Sequence, residues 1–249
     1  MRYKLLLAAA MVFFISTNLT AQVSLESARV GTSGDGALVV YNSNTLSNNK
    51  RIPYERIKGN PFWKAEYINA TLLNKNNQVL GKVPVRLNLY TNEVYFISTA
   101  GEERVAAPGK VSKIVFQGSD STTPLAVFEN NVPGLTENNP NAESPSFVQV
   151  MNNGDVQLLK HTKILFQSAD SLMGTTKRYY FANQIQYYVN NKFGQVNRVR
   201  RLNRENVLES INISPENEKW IKDNAINFKK EEDVLKFFEY FNASKKGEK

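Results

Sequence analysis

The chain has 249 residues, of which 41% are hydrophobic and 11% aromatic, with 31 basic residues against 23 acidic ones. That is enough apolar material for a sizeable buried core and too much for a disordered tail. There is no cysteine and only one histidine, which excludes disulfides, thiolate catalysis, Cys-ligated metal and any multi-histidine zinc site.

The N-terminus reads as an export signal. Arg2 and Lys4 precede the uncharged apolar run Leu5 to Ile15, and the polar stretch Ser16 to Thr20 leads to an expected cleavage after Ala21. The apolar run is shorter than the roughly 20 residues a membrane-crossing helix needs, and no later segment approaches that length. The mature chain is therefore expected to have no transmembrane span. A cysteine-free domain of this size suits the periplasm or outer surface of a Gram-negative bacterium, or secretion from it.

Residues 22–60 are rich in Ser, Asn and Gly and are predicted to form a loosely structured arm with one strand candidate, Ala37 to Tyr41. The pattern then sharpens. Ala65 to Asn74 is β-rich and stops at Asn74-Lys75-Asn76-Asn77, where turn chemistry is strong. Val83, Val85, Leu87 and Leu89 alternate with polar or imino residues, the period of a strand with one buried face. Pro84 lacks a ladder donor and so predicts an edge or a strand start there. Val94 to Ser98 and Val111 to Phe116 follow as strands.

Gly118 to Ser146 is a polar insertion interrupted only by Leu125 to Phe128, and its length favours a mobile segment. Strands are predicted again at Phe147 to Met151 and Val156 to Phe166 around Asn153-Gly154, the strongest hairpin signal in the chain. Arg178 to Val189 and Gln195 to Arg200 complete the set. Lys113 to Ser121 is echoed by Lys163 to Ser171, which suggests two similar meander units. Paired ligand sites around Asp120 and Asp170 are the minority reading of that echo.

Beyond Leu202 the hydrophobic period becomes helical. Ser214-Pro215-Glu216 has the order of an N-cap, a first-turn proline and an acidic first turn. Lys230 to Asn242 carries Glu231, Glu232 and Asp233 at its start and an apolar stripe of Val234, Leu235, Phe238 and Phe241, with a frayed tail from Ala243 onward. The expected organisation is a signal peptide over 1–21, an arm over 22–60, an antiparallel β domain over 61–202 and a helical cap over 203–249. The expected fold is mainly β, an antiparallel meander sheet forming a barrel or sandwich with a small C-terminal helical cap.

Catalytic signatures are scarce. His161, the one available imidazole base, falls on a strand parity shared with Gln157 and Lys163 and is predicted to face solvent. No nucleophile elbow, phosphate-binding glycine loop or dinucleotide fingerprint occurs, and no cofactor is expected. The concentrated feature is basic: Lys192, Arg198, Arg200, Arg201 and Arg204 lie within thirteen residues that contain no acid, after a strand rich in tyrosine. Export argues against a nucleic-acid partner. An anionic glycan, a lipid headgroup or an acidic protein surface fits better, against the alternative that these charges simply discourage edge pairing.

Gly59-Asn60-Pro61-Phe62-Trp63, the Val83 to Tyr90 strand with Tyr90-Thr91-Asn92-Glu93, the Phe147 to Lys160 hairpin, Tyr179 to Val189 and the closing Phe228 to Asn242 segment together resemble exported, β-rich proteins of Bacteroidota bacteria without an assigned function. The resemblance spans roughly Gly59 to Asn242 and implies compartment and architecture, with no site residues to carry over. The functional expectation is a non-catalytic cell-envelope protein that binds a protein, glycan or lipid partner through its surface. The alternative is an envelope hydrolase acting on glycan through unrecognised carboxylates.

Overall fold

The computed structural model describes residues 29–30, 38–41, 54–120, 123–130, 132–135, 146–170, 177–191, 195–209 and 211–246. The segment expected to be an export signal, most of the arm, Lys192 and the last three residues lie outside them. The strands are β1 (Arg29–Val30), β2 (Leu38–Tyr41), β3 (Ile57–Lys58), β4 (Ile68–Leu73), β5 (Val79–Leu87), β6 (Val94–Ile97) and β7 (Glu103–Ala106). They continue as β8 (Lys113–Gln117), β9 (Pro124–Glu129), β10 (Val148–Val150), β11 (Val156–Asp170), β12 (Lys177–Asn191) and β13 (Gln195–Val199). The helices are α1 (Arg204–Leu208), α2 (Pro215–Asp223) and α3 (Glu231–Lys246).

These strands join in one sheet of order β1-β2-β7-β6-β5-β4-β8-β9-β10-β11-β12-β13, with β3 parallel to β12 and all other pairs antiparallel. The chain is thus mainly β with a C-terminal helix, as expected. The sheet is not closed, so the architecture is sandwich-like and the barrel alternative is corrected.

Register explains how an open sheet buries its surface. Phe128 opposes Gln149, Gln149 opposes Lys160, and Lys160 opposes Tyr187, so one face runs unbroken from β9 to β12. Two cores sit on it. In the first, Leu72, Val85, Phe96, Ile114, Phe116 and Phe128 of the meander meet Ile164 and Phe181 from the far half of the β11–β12 hairpin. In the second, Val156, Leu158, Val189 and Val199 meet Val207, Ile221, Val234, Phe237, Phe238 and Phe241 of the helices. Burying each such large side chain is worth about 1.5–3 kcal/mol, so the stripe on α3 docks the helix outright.

Both faces of β11 are covered near its start. Val148, Leu159 and Tyr188 form a third cluster on the opposite face, with Val132 and Leu135 over them. His161 lies on that face and is only 2% exposed, which corrects its assignment to solvent. Strand parity places a residue on a face, and only the packing of a distant segment shows that both faces are dry.

Several boundaries differ from expectation. Pro84 lies inside β5, yet β6 pairs only with Val85 to Leu87, so Pro84 occupies a local edge. The polar insertion holds β9, paired with β8 and β10, so this part of it is sheet and not a mobile loop; residues 136–145 lie outside the described residues. α3 continues to Lys246, past the predicted fraying point, because Phe241 and Asn242 are buried. β7 and α1, too short to show a period, were not predicted. The echoed segments occupy unequal places: β8 is interior to the sheet, whereas Lys163 to Asp170 belongs to a long hairpin, and Asp120 accepts a turn hydrogen bond from Thr123 N–H.

The helical cap is locked to the sheet by a side chain. Val156 N–H donates to Asn242 Oδ1 at 2.9 Å, and Asn242 Nδ2 donates to the carbonyls of Val156 at 2.8 Å and Asn153 at 3.3 Å. Gly154, at φ +132°, makes room for it: a Cβ there would stand 2.3 Å from Asn242 Cγ. Replacing Asn242 by Ala leaves a buried backbone N–H unpaired and is expected to cost about 1–3 kcal/mol. Gly154→Ala should lower the thermal midpoint as well, and combining the two should cost less than their sum, since removing Asn242 relieves the clash; thermal melts of the three variants check this.

Candidate functional site

A polar line of Lys160, Tyr187 and Glu231 separates the two cores. Lys160 Nζ lies 2.8 Å from Glu231 Oε2, and Tyr187 Oη donates to the same oxygen at 2.5 Å. Lys160 and Tyr187 are register partners on the hairpin, and Glu231 opens α3, where the helix dipole favours a carboxylate. Burial, reinforced by the bond to Glu231, holds the Tyr187 hydroxyl protonated well above the ordinary tyrosine range. The three groups satisfy one another, so the cluster joins helix to hairpin and leaves no charge for chemistry.

A second candidate is an aromatic cage on the outward face of the meander. The Arg86 guanidinium sits 4.0 Å over the Phe62 ring and 4.8 Å over the Tyr67 ring, and pairs with Glu103 at 3.3 Å. Tyr67 also hydrogen-bonds Glu103. The cage is filled by the chain's own arginine. It pins the Gly59 to Trp63 segment, whose Phe62 bridges to Asn88 and whose Trp63 N–H donates to the Leu87 carbonyl.

Two of the sequence-predicted basic residues, Arg198 and Arg200, lie on an open groove of about 1450 Å³ between the edge strand β13 and α1. Arg198 and Arg200 line it together with Asn197, Glu205, Asn206 and Glu209. Arg198 belongs to β13 and Arg200 follows directly after its end, with Val199 buried between them. α1 starts immediately afterwards because Asn203 caps it, accepting from Asn206 N–H at 2.8 Å, and this carries Glu205 and Glu209 to the opposite wall.

The remaining basic positions are arranged differently. Arg198 Nη2 donates to Gln186 Oε1 at 2.7 Å, and Gln186 in turn donates to the Val199 carbonyl at 2.8 Å, so this guanidinium is held in place. Arg201 is exposed, and its carbonyl accepts from Asn206. Arg204 pairs with Glu218 and ties α1 to α2. Lys192 lies outside the described residues. The structure therefore brings Arg198 and Arg200 to one groove and gives Arg204 to the scaffold. Sequence reasoning missed Glu205 and Glu209, since it treated the acid-free basic stretch as a block and could not place the next helix across from it.

Among the described residues, no three His, Asp or Glu side chains are grouped to hold a metal ion, and no helix is long and apolar enough to cross a membrane. The chain matches no family model, no curated protein and no solved structure.

Tyr67, Tyr95 and Tyr187 all have hydroxyls pushed upward, burial being the main cause in each case, with neighbouring Glu103, Glu93 and Glu231 adding to it. In the unfolded chain a tyrosine releases its proton near pH ~10. Above that pH the unfolded state holds fewer protons than the folded one, so stability falls as pH rises. Denaturant melts should show stability insensitive to these groups below pH ~9 and declining above pH ~10, and Tyr187→Phe should reduce the alkaline slope.

Proposed function

We propose that the chain is a non-catalytic cell-envelope protein, exported to the periplasm or cell surface of a Gram-negative bacterium, that binds a partner along the β13–α1 groove. The observation that carries this reading is the groove's chemistry. Guanidinium, carboxamide and carboxylate groups converge on one open surface of about 1450 Å³. Asn197 and Asn206 both donate and accept, and arginine donates in a fixed fork, which is the complement of a dense array of hydroxyls and occasional acids. Of the partner classes considered, a glycan bearing acidic groups matches that set best. A nucleic-acid backbone matches it poorly, because Glu205 and Glu209 stand among the cations.

A second reading has one specific observation behind it. Glu205 and Glu209 both line the groove, four residues apart on a helical turn. That spacing makes the two side chains neighbours on the helix surface, and a pair of neighbouring carboxyls is what glycosidases use. An envelope hydrolase would use one as acid and the other as nucleophile.

Two measurements separate the readings. Retention of the full chain on isolated envelope glycan should fall several-fold in Arg198→Ser/Arg200→Ser, with weaker retention at higher salt for the unsubstituted protein; equal retention of both proteins overturns the binding proposal. Release of reducing ends from the same glycan should be absent. Release that disappears in Glu205→Gln or Glu209→Gln establishes the hydrolase instead.

A further inference from the structure

The far end of the β11–β12 hairpin carries a second groove, of about 670 Å³, which shares no lining residue with the β13–α1 groove. Its walls include Arg56, Lys58, Lys177 and Arg178, with Tyr179 and Tyr180 between them and Phe181 beneath. No aspartate or glutamate lines it among the described residues. The nearest carboxylate in register is Asp170, which opposes Lys177 across the hairpin. No ion pair joins Arg56, Lys58 or Arg178 to an acid among the described residues.

The arrangement is held firmly. β3 is only two residues long, yet it is anchored on both sides of the groove. Ile57 is buried in the first core and opposes Tyr179, while Lys58 opposes Tyr180. Lys58, Arg178 and Tyr180 therefore share the face turned away from that core, since strand residues alternate. Gly59 closes the strand at φ +103°, and a Cβ there would lie 3.0 Å from the Phe181 carbonyl oxygen. Tyr54, just before the strand, packs edge-on against Phe181 with ring centroids 5.6 Å apart. The backbone of this short segment is thereby fixed beside β12, which keeps the attachment points of its cations close to Arg178.

Like charges on neighbouring strands repel one another. A row of them lined by no acid among the described residues is electrostatically incomplete, and a bound anion offsets the repulsion. Two guanidinium forks and an ammonium supply many donors, which suits a phosphoryl oxyanion with several acceptor oxygens better than a carboxylate with two. The Tyr180 ring and the Ala169 side chain, on the same face as Lys58 and Arg178, give an apolar flank on which the carbon part of an ester can rest.

We propose that this groove binds the phosphoryl group of a phosphate ester, gripped by Arg56, Lys58 and Arg178, with the organic part lying on Tyr180 and Ala169. The site is independent of the β13–α1 groove. A phosphoryl group of this kind comes either from a small soluble ester or from a phospholipid headgroup, and the two sources are separable.

The test uses the full chain and two probes: glycerol 3-phosphate by calorimetric titration, and sedimentation with vesicles of phosphatidylglycerol in phosphatidylcholine against vesicles of phosphatidylcholine alone. Binding to the soluble ester, or binding confined to the phosphatidylglycerol vesicles, is the expected result and identifies the source. In Arg56→Ser/Lys58→Ser/Arg178→Ser the affinity should drop by tenfold or more, with circular dichroism unchanged because all three side chains are exposed. Arg178→Lys should recover part of it, and Arg198→Ser/Arg200→Ser should bind as the unsubstituted protein does. Absence of binding to both probes, or equal binding by the triple variant, overturns the proposal.

Discussion

The fold depends on the hairpin of β11 and β12, fifteen residues on each strand, paired in unbroken register from Val156 with Asn191 to Asp170 with Lys177. One face of this ribbon serves two cores. Near Val156 and Leu158 it receives the phenylalanines of α3, and near Ile164 and Phe181 it covers the meander. A single twisted sheet with no partner sheet would leave its apolar face wet. Here the ribbon's far half turns back over the strands it continues, and helices cover the remainder. The Asn242 contact then completes the joint, because the start of β11 has backbone groups that no neighbouring strand reaches.

Both grooves are consequences of this construction. β13 is the last strand, so its outer side has no further strand and faces α1 instead, which creates the polar cleft with Arg198 and Arg200. At the opposite end the ribbon outruns β10, and only the two residues of β3 flank it, leaving the cationic cleft around Arg178. The helical and hairpin ends thus carry different chemistries: mixed-sign and amide-rich in one case, uniformly cationic with tyrosine in the other.

Local features of the sequence were read correctly where the physics is local. Ser214 and Asn217 form the reciprocal cap expected ahead of Pro215, because capping is decided within four residues. The Asn153-Gly154 turn falls where the hairpin signal placed it, and the alternation of Val83, Val85 and Leu87 corresponds to a strand with one buried face. β7 and α1 escaped because four or five residues contain too little of either period to stand out. His161 was misplaced for a different reason: alternation separates two faces, and the burial of both depends on Val132 and Leu135 packing over a strand some thirty residues away.

Composition, hydrophobic period and turn chemistry sufficed for the class of fold, the positions of most strands along the chain and the two longer helices, since each is a property of neighbouring residues. Which charges remain available was settled only by three-dimensional pairing. Arg204 is consumed by Glu218, Arg198 and Arg200 acquire Glu205 and Glu209 as neighbours, and Arg56 and Lys58 meet Arg178 across more than a hundred residues of chain. Electrostatic interaction depends on distance in space, and in a sheet that curls back on itself that distance bears little relation to position along the chain.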